Sequence, residues 1–107
     1  MSQVSALEAM LARGQDGELL RFGLANAYWK EKQAEPAIEH LQRAIELKPD
    51  YSAALKLLGR IYYDTEQFDL ARETYELGLA AASANGDKQA EKEINVFLRR
   101  LAKLADE

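Results

Sequence analysis

The sequence predicts an all-α protein of antiparallel helical hairpins, on three observations. Apolar residues recur at helical spacing nearly throughout the 107 residues, no comparable stretch alternates strictly with period two, and the breaks between helical stretches are short. Five or six helices and no sheet follow, and short connections make consecutive helices pack antiparallel. A length of 107 residues fits one compact domain, 1–107, and 48% hydrophobic with 30% charged residues is the composition of a folded, soluble chain.

Each helix is carried by its own apolar stripe. Val4, Leu7, Met10 and Leu11 mark the first, which ends at "GQDG" (14–17). Leu20, Leu24, Ala27 and Tyr28 mark the second, up to "KEKQAE" (30–35), and Ala37, Leu41, Ala44 and Ile45 the third, up to "KPDY" (48–51). Leu58, Ile61 and Tyr62 lead to "DTEQF" (64–68), and Ala71, Tyr75, Gly78 and Leu79 to "SANGD" (83–87). The last helix shows Ala90, Ile94, Phe97, Leu98, Leu101 and Leu104 as one stripe, with Lys88, Glu91, Lys92, Glu93, Arg99, Arg100 and Lys103 on the remainder. Residues 87–107 carry no net charge, which suits a solvated capping helix better than one lying on a membrane surface.

The breaks carry helix stop and start chemistry. Pro49 has no amide to continue a helix, whereas Pro36 is tolerable in a first turn. Asp16, Asp50 and Asp87 are expected to cap free amides, and Asn85-Gly86 supplies a left-handed helix end.

Composition removes several functions. The net charge of −4 is spread along the chain without a basic block, which argues against nucleic acid as a partner. With no cysteine there is no disulfide framework, thiolate metal site or thiol nucleophile, which suits a cytoplasmic protein. No secretory leader is evident at the start, and no stretch approaches the ~20 apolar residues of a membrane span. His40 stands alone as a histidine, too little for a metal site, and reads as a structural residue. Glu39 and Arg43 read as an exposed i,i+4 pair, and Gly14 and Gly17 frame no phosphate loop. Catalytic, cofactor-binding and metal-binding residues are therefore all expected to be absent.

Sliding the sequence over itself by 34 residues aligns Leu24 with Leu58, Ala25 with Gly59, Tyr28 with Tyr62, Ala37 with Ala71, Leu41 with Tyr75, Ala44 with Gly78 and Ile45 with Leu79. The same offset lays Val4, Leu7, Met10 and Leu11 over Ile38, Leu41, Ala44 and Ile45. Period and pattern resemble the tetratricopeptide repeat, whose helix–turn–helix signature runs aromatic, Leu-Gly, Tyr, Ala, aromatic, Pro. One copy here reads Leu55, Leu58-Gly59, Tyr62, Ala71 and Tyr75; the other reads Arg21, Leu24-Ala25, Tyr28, Ala37, Leu41 and Pro49. Arg21 and Leu55 replace the leading aromatic, Ala25 a glycine, and Ser83 the second proline.

The resemblance implies a short right-handed α-solenoid, with a half-repeat helix at 1–17, repeats at 18–51 and 52–85, and a capping helix at 86–107. Small residues at 25, 37, 59 and 71 allow close helix approach, and Tyr28, Tyr62 and Tyr75 fill gaps. The resemblance also implies a non-catalytic scaffold for protein–protein interaction, with the first helix of each hairpin lining a concave groove. Phe22, Asn26 and Trp29 then project together at i, i+4, i+7, as do Lys56, Arg60 and Tyr63 at the same offset. These six are the expected partner-binding residues, and Asn95 and Arg99 would extend them if the last helix lines the groove too. Aromatics, an amide and two cations suit an acidic or aromatic-containing peptide or protein segment. Self-association into a homo-oligomer is the alternative. Phe22 and Leu57 stand where a lysine and an asparagine of the family's carboxylate clamp would be, so a chaperone's C-terminal tail is not expected to bind.

Overall fold

The computed structural model describes residues 2–106. Among the described residues there are six helices and no strand: α1 (Gln3–Ala12), α2 (Glu18–Lys30), α3 (Ala34–Leu47), α4 (Ser52–Asp64), α5 (Phe68–Asn85) and α6 (Lys88–Ala105). The fold is an all-α helical repeat, as the spacing predicts. The helices group into two compact units, one ending at Pro49 and one beginning at Asp50.

In the first unit α2 packs on both α1 and α3. Leu24, Ala25, Ala27, Ala37, Leu41 and Ala44 are its buried apolar residues, and α1 contributes none that is fully buried. In the second, α4 packs on α5, and α6 lies against both. Its core holds Leu55, Leu58, Ile61, Tyr62, Ala71, Tyr75, Ile94 and Leu101. Small residues set the approach here. The Gly59 backbone faces the flat of the Tyr75 ring, and Gly78 faces Leu55 and Ile94. Leu55, in place of the signature aromatic, thus fills the space over Gly78.

The helix ends explain the hairpins. After α1, α2, α4 and α5 the chain turns through Gly14, Lys32, Glu66 and Gly86, each at positive φ (84°, 61°, 62° and 71°). Gln15, Gln33, Gln67 and Asp87 then donate their amides back to the carbonyls of Met10, Tyr28, Tyr62 and Ala82, which closes each helix with the same left-handed motif. Lys32 and Glu66 are 34 residues apart, so the repeat extends to a backbone conformation that composition does not reveal.

Two expected caps differ. Asp87 caps α6 by accepting from the amide of Ala90 at 3.1 Å, but the residues flanking the starts of α2 and α4 are Gly17 and Tyr51, without side-chain caps. Asp16 instead accepts from the Gly17 amide and from Arg21, because a guanidinium within reach competes for its carboxylate. The backbone carbonyl of Asp50 accepts from the Asn85 side chain at 3.0 Å.

Pro49 and Ser83 separate the two copies. Lys48, before Pro49, is extended (φ −143°, ψ 88°), and α3 ends at Leu47. Ser83 imposes no such break, and α5 runs on to Asn85, making it 18 residues long against 14 for α3.

Candidate functional site

The i, i+4, i+7 spacing of Lys56, Arg60 and Tyr63 places them on one face of α4, and α6 lies beside that face. Lys56 Nζ pairs with the carboxylate of Glu93, whose proton affinity the lysine lowers through that hydrogen bond. Arg60 Nε donates to both oxygens of Asp64, at 2.9 and 3.1 Å. Its guanidinium carbon lies 5.1 Å from the centre of the Phe97 ring, and that of Arg100 lies 4.9 Å from the same ring. Both distances are within cation–π range. Tyr63 meets Phe97 edge-on, with ring centres 5.0 Å apart at 78°, and Phe68 at 5.8 Å and 68°. Tyr75 stacks on Phe97 at 5.3 Å and 18°. Its hydroxyl is buried and has no hydrogen-bond partner among the described residues, and burial raises the phenol's pKa.

Phe97 is thus surrounded by two guanidiniums and two phenol rings. Helical spacing in the sequence puts Phe97 only in an apolar stripe, and Arg100 and Glu93 only on the charged remainder of the helix. The α6 residues that meet Lys56 and Arg60 lie 37 positions on, at Glu93 and Phe97, and not 34. α5 ends at Asn85, four residues past the position that matches the end of α3 at Leu47, so α6 enters later along the chain than a strict 34-residue repeat would give. Asn95 and Arg99 lie, by helical spacing, more than a quarter-turn away from both Glu93 and Phe97.

In the first unit, Phe22, Asn26 and Trp29 share a face of α2 by the same spacing. Both rings are half-buried. Asn26 Nδ2 donates to the backbone carbonyl of Phe22 at 3.2 Å, and Lys32 Nζ lies 5.6 Å from the centre of the Trp29 ring.

His40 belongs to a different arrangement. It is buried, stacks on Tyr28 with ring centres 5.6 Å apart, and its Nδ1 lies 3.0 Å from Arg21 Nη1. Because Arg21 only donates, that nitrogen accepts and the neutral imidazole carries its proton on Nε2. Arg21 also binds Asp16 through Nε (2.8 Å) and Nη2 (3.0 Å), and holds that carboxyl down at about 2. Tyr28 donates to Glu8 at 2.7 Å, which with burial pushes the phenol up to about 12. Arg21, in place of the signature aromatic, joins Asp16 to His40 in this network. Arg43 pairs with Asp16 and Glu46, both at 4.0 Å, in place of the expected pair with Glu39. Among the described residues no cluster of His, Cys, Asp and Glu is arranged to hold a metal ion, and no helix is long and apolar enough to cross a membrane.

Helix–turn–helix units repeated at 34 residues define a helical-repeat protein. The Tetratricopeptide repeat family matches residues 29–91, and a second match to that family covers 4–52. TPR repeat-containing protein PA0015 of Pseudomonas aeruginosa is 52% identical over 98 residues, 92% of this chain and 93% of its own length. The solution structure of protein BPP2914 from Bordetella parapertussis is 45% identical and superposes with a TM-score of 0.84, covering 96% of this chain and 90% of that one. The Sgt2 TPR domain from Aspergillus fumigatus shares the fold at 22% identity, TM-score 0.73, covering 98% of this chain and 80% of its own. The chain belongs to the tetratricopeptide repeat family. Proteins of this family are in general non-catalytic scaffolds for protein–protein interaction.

Proposed function

We infer that this chain is a non-catalytic interaction module that binds a protein or peptide segment through the face of α4 and α6. The observation that carries the reading is the cluster around Phe97, where cations and aromatic rings are held together at a half-exposed surface. Hot spots of protein interfaces are rich in arginine and aromatic residues, and rigid rings lose little entropy on binding. Lys56, Arg60 and Tyr63 form the α4 side of the surface; Phe22, Asn26 and Trp29 are a second set on α2. An acidic or aromatic-containing segment complements both sets, and a protein ligand in the cytoplasm is the setting that the cysteine-free sequence suits. Neither nucleic acid nor a membrane is invoked, since the −4 chain gathers no long basic tract.

A second reading, self-association, has its own observation. Leu70 and Leu77 lie seven residues apart on α5 and are exposed, Leu77 at 62%. On that reading the mass in solution rises with concentration, and Leu77→Glu abolishes the rise.

The test of the first reading is quantitative affinity capture from extract of the native cell, with the wild type beside Arg60→Gln/Arg100→Gln. Lys56 is left intact, because glutamate there would face Glu93. A protein retained by the wild type and depleted about tenfold with the variant supports the reading, since lost charge-assisted hydrogen bonds are of that size. Identical retention by both proteins contradicts it.

A further inference from the structure

Every helix from α2 to α6 holds at least three buried residues, and α1 holds none. Its stripe of Val4, Leu7, Met10 and Leu11 is only half-buried. Two contacts on α2 specify where α1 lies. Leu7 Cδ1 stands 3.7 Å from where a β-carbon on Gly23 would be, and Glu8 accepts from the Tyr28 hydroxyl at 2.7 Å. Behind α1, residues 12–16 are exposed, and the chain bends at Gly14 (φ 84°), where a β-carbon would meet nothing within 4 Å. The far end of that bend is fixed without α1, because Arg21 donates to both oxygens of Asp16 and meets His40 on α3. The hairpin of α2 and α3 therefore keeps its buried core and this polar tie when α1 leaves. Segments held by so little buried surface open at the smallest free energy. Opening leaves the Tyr28 hydroxyl and the space over Gly23 to any helix that carries a leucine followed by a carboxylate.

We propose that α1 is an exchangeable arm, which leaves α2 of its own chain and docks on α2 of a second copy, so that two chains pair by reciprocal exchange. The second copy is the occupant because its α1 carries Leu7 and Glu8 in the same order, and each docking contact of the single chain is remade across the pair. Exchange of an identical element is a low-cost route to a closed two-fold dimer. This surface is separate from the face of α4 and α6 and from the exposed leucines of α5, and the inference rests on neither reading. Since the docking contacts are the same in both forms, they cancel, and the balance is set by the hinge at residues 13–15. In the closed form Gly14 lies in the left-handed region, and the amides of Gly14 and Gln15 return to the carbonyls of Leu11 and Met10 at 2.9 and 3.1 Å. Release straightens the hinge and frees Gly14 from that conformation.

The test follows the full chain by sedimentation, and by isotope-filtered NOE spectroscopy on a mixture of labelled and unlabelled copies. A slowly exchanging dimer that grows with concentration is expected, with an NOE from the Leu7 methyls of a labelled copy to the Gly23 α-protons of an unlabelled one. Gly14→Ala strains the closed turn and should raise the dimer association constant at least about tenfold, since two hinges are relieved per dimer. Gly17→Ala, at extended backbone (φ 171°), should leave that constant unchanged. Tyr28→Phe removes the same hydrogen bond from both forms, so the constant should stay nearly the same while copies trade arms about tenfold faster. A Gly14→Ala protein that stays monomeric at every concentration, a dimer without the Leu7 to Gly23 NOE, or a dimer that Leu77→Glu dissolves would each overturn the proposal. None of these results touches the face of α4 and α6, which the capture experiment tests separately.

Discussion

At Gly59 a β-carbon would lie 2.8 Å from Cδ1 and Cε1 of the Tyr75 ring, and that ring is wholly buried. Alanine is the better helix former by about 1 kcal/mol, but overpacking a buried ring costs about 1–3 kcal/mol, and the steric loss wins. Gly59→Ala should therefore lower stability in urea unfolding by about 1–2 kcal/mol. His40 supplies a second prediction at this scale. Burial, first, and the Arg21 charge lower its proton affinity below the ordinary 6.5, against the opposing charges of Glu8, Asp16 and Glu39. The unfolded chain then takes up the proton before the folded one does. Stability is intact above pH 6.5 and is lost as pH falls through the lower folded value. The wild type should melt lower at about pH 5.5 than at pH 7.5, and His40→Gln, which keeps an acceptor for Arg21, should flatten that slope. Equal slopes would remove His40 from the account. The carboxyl of Asp16, held at about 2, titrates well below this window.

At the scale of elements, the left-handed turns after α2 and α4 are closed by Lys32 and Glu66, where a side chain costs about 1 kcal/mol that glycine avoids. Glu66→Gly should raise stability by roughly 0.5 kcal/mol after the added freedom of the unfolded chain is subtracted. Lys32→Gly should gain less, since it forfeits the contact with Trp29; differential scanning calorimetry of the two variants orders them. The helices themselves were legible because stripes such as Leu24, Ala27 and Tyr28 or Ala90, Ile94 and Leu101 report burial directly. Helix caps were less so. Asp16, Asp50 and Asp87 look alike in sequence, and only Asp87 caps with its side chain, because the choice depends on which donors stand nearby. The register of α6 was hidden for a related reason. Ser83 in place of proline was visible, but the extra turn of α5 that follows from it, and so the placing of Glu93 and Phe97 beside α4, is a matter of packing.

For the whole molecule, the 34-residue offset disclosed the repeat and with it the family, since Leu58-Gly59, Tyr62, Ala71 and Tyr75 report close packing at a fixed period. The composition of the candidate site was only half legible. Lys56, Arg60 and Tyr63 share a helix, and their spacing sufficed; Phe97, Arg100 and Tyr75 come from two other helices, and no spacing rule joins them. Charge supplies one more prediction. The cluster is locally cationic in a chain of net charge −4, so affinity for an acidic segment should fall steeply between low salt and about 0.5 M salt, where screening shortens to a few ångströms.

Whether the face of α4 and α6 binds a protein is decided by site-specific photo-cross-linking in the native cell, with benzoylphenylalanine in place of one of two exposed leucines. Leu104 lies one turn beyond Arg100 on the same side of α6, and Leu77 lies on α5. Binding at that face gives an adduct with another protein from position 104 that disappears in the Arg60→Gln/Arg100→Gln background, and none from position 77. Adducts from position 77 alone, or adducts from 104 that survive loss of both arginines, would contradict it.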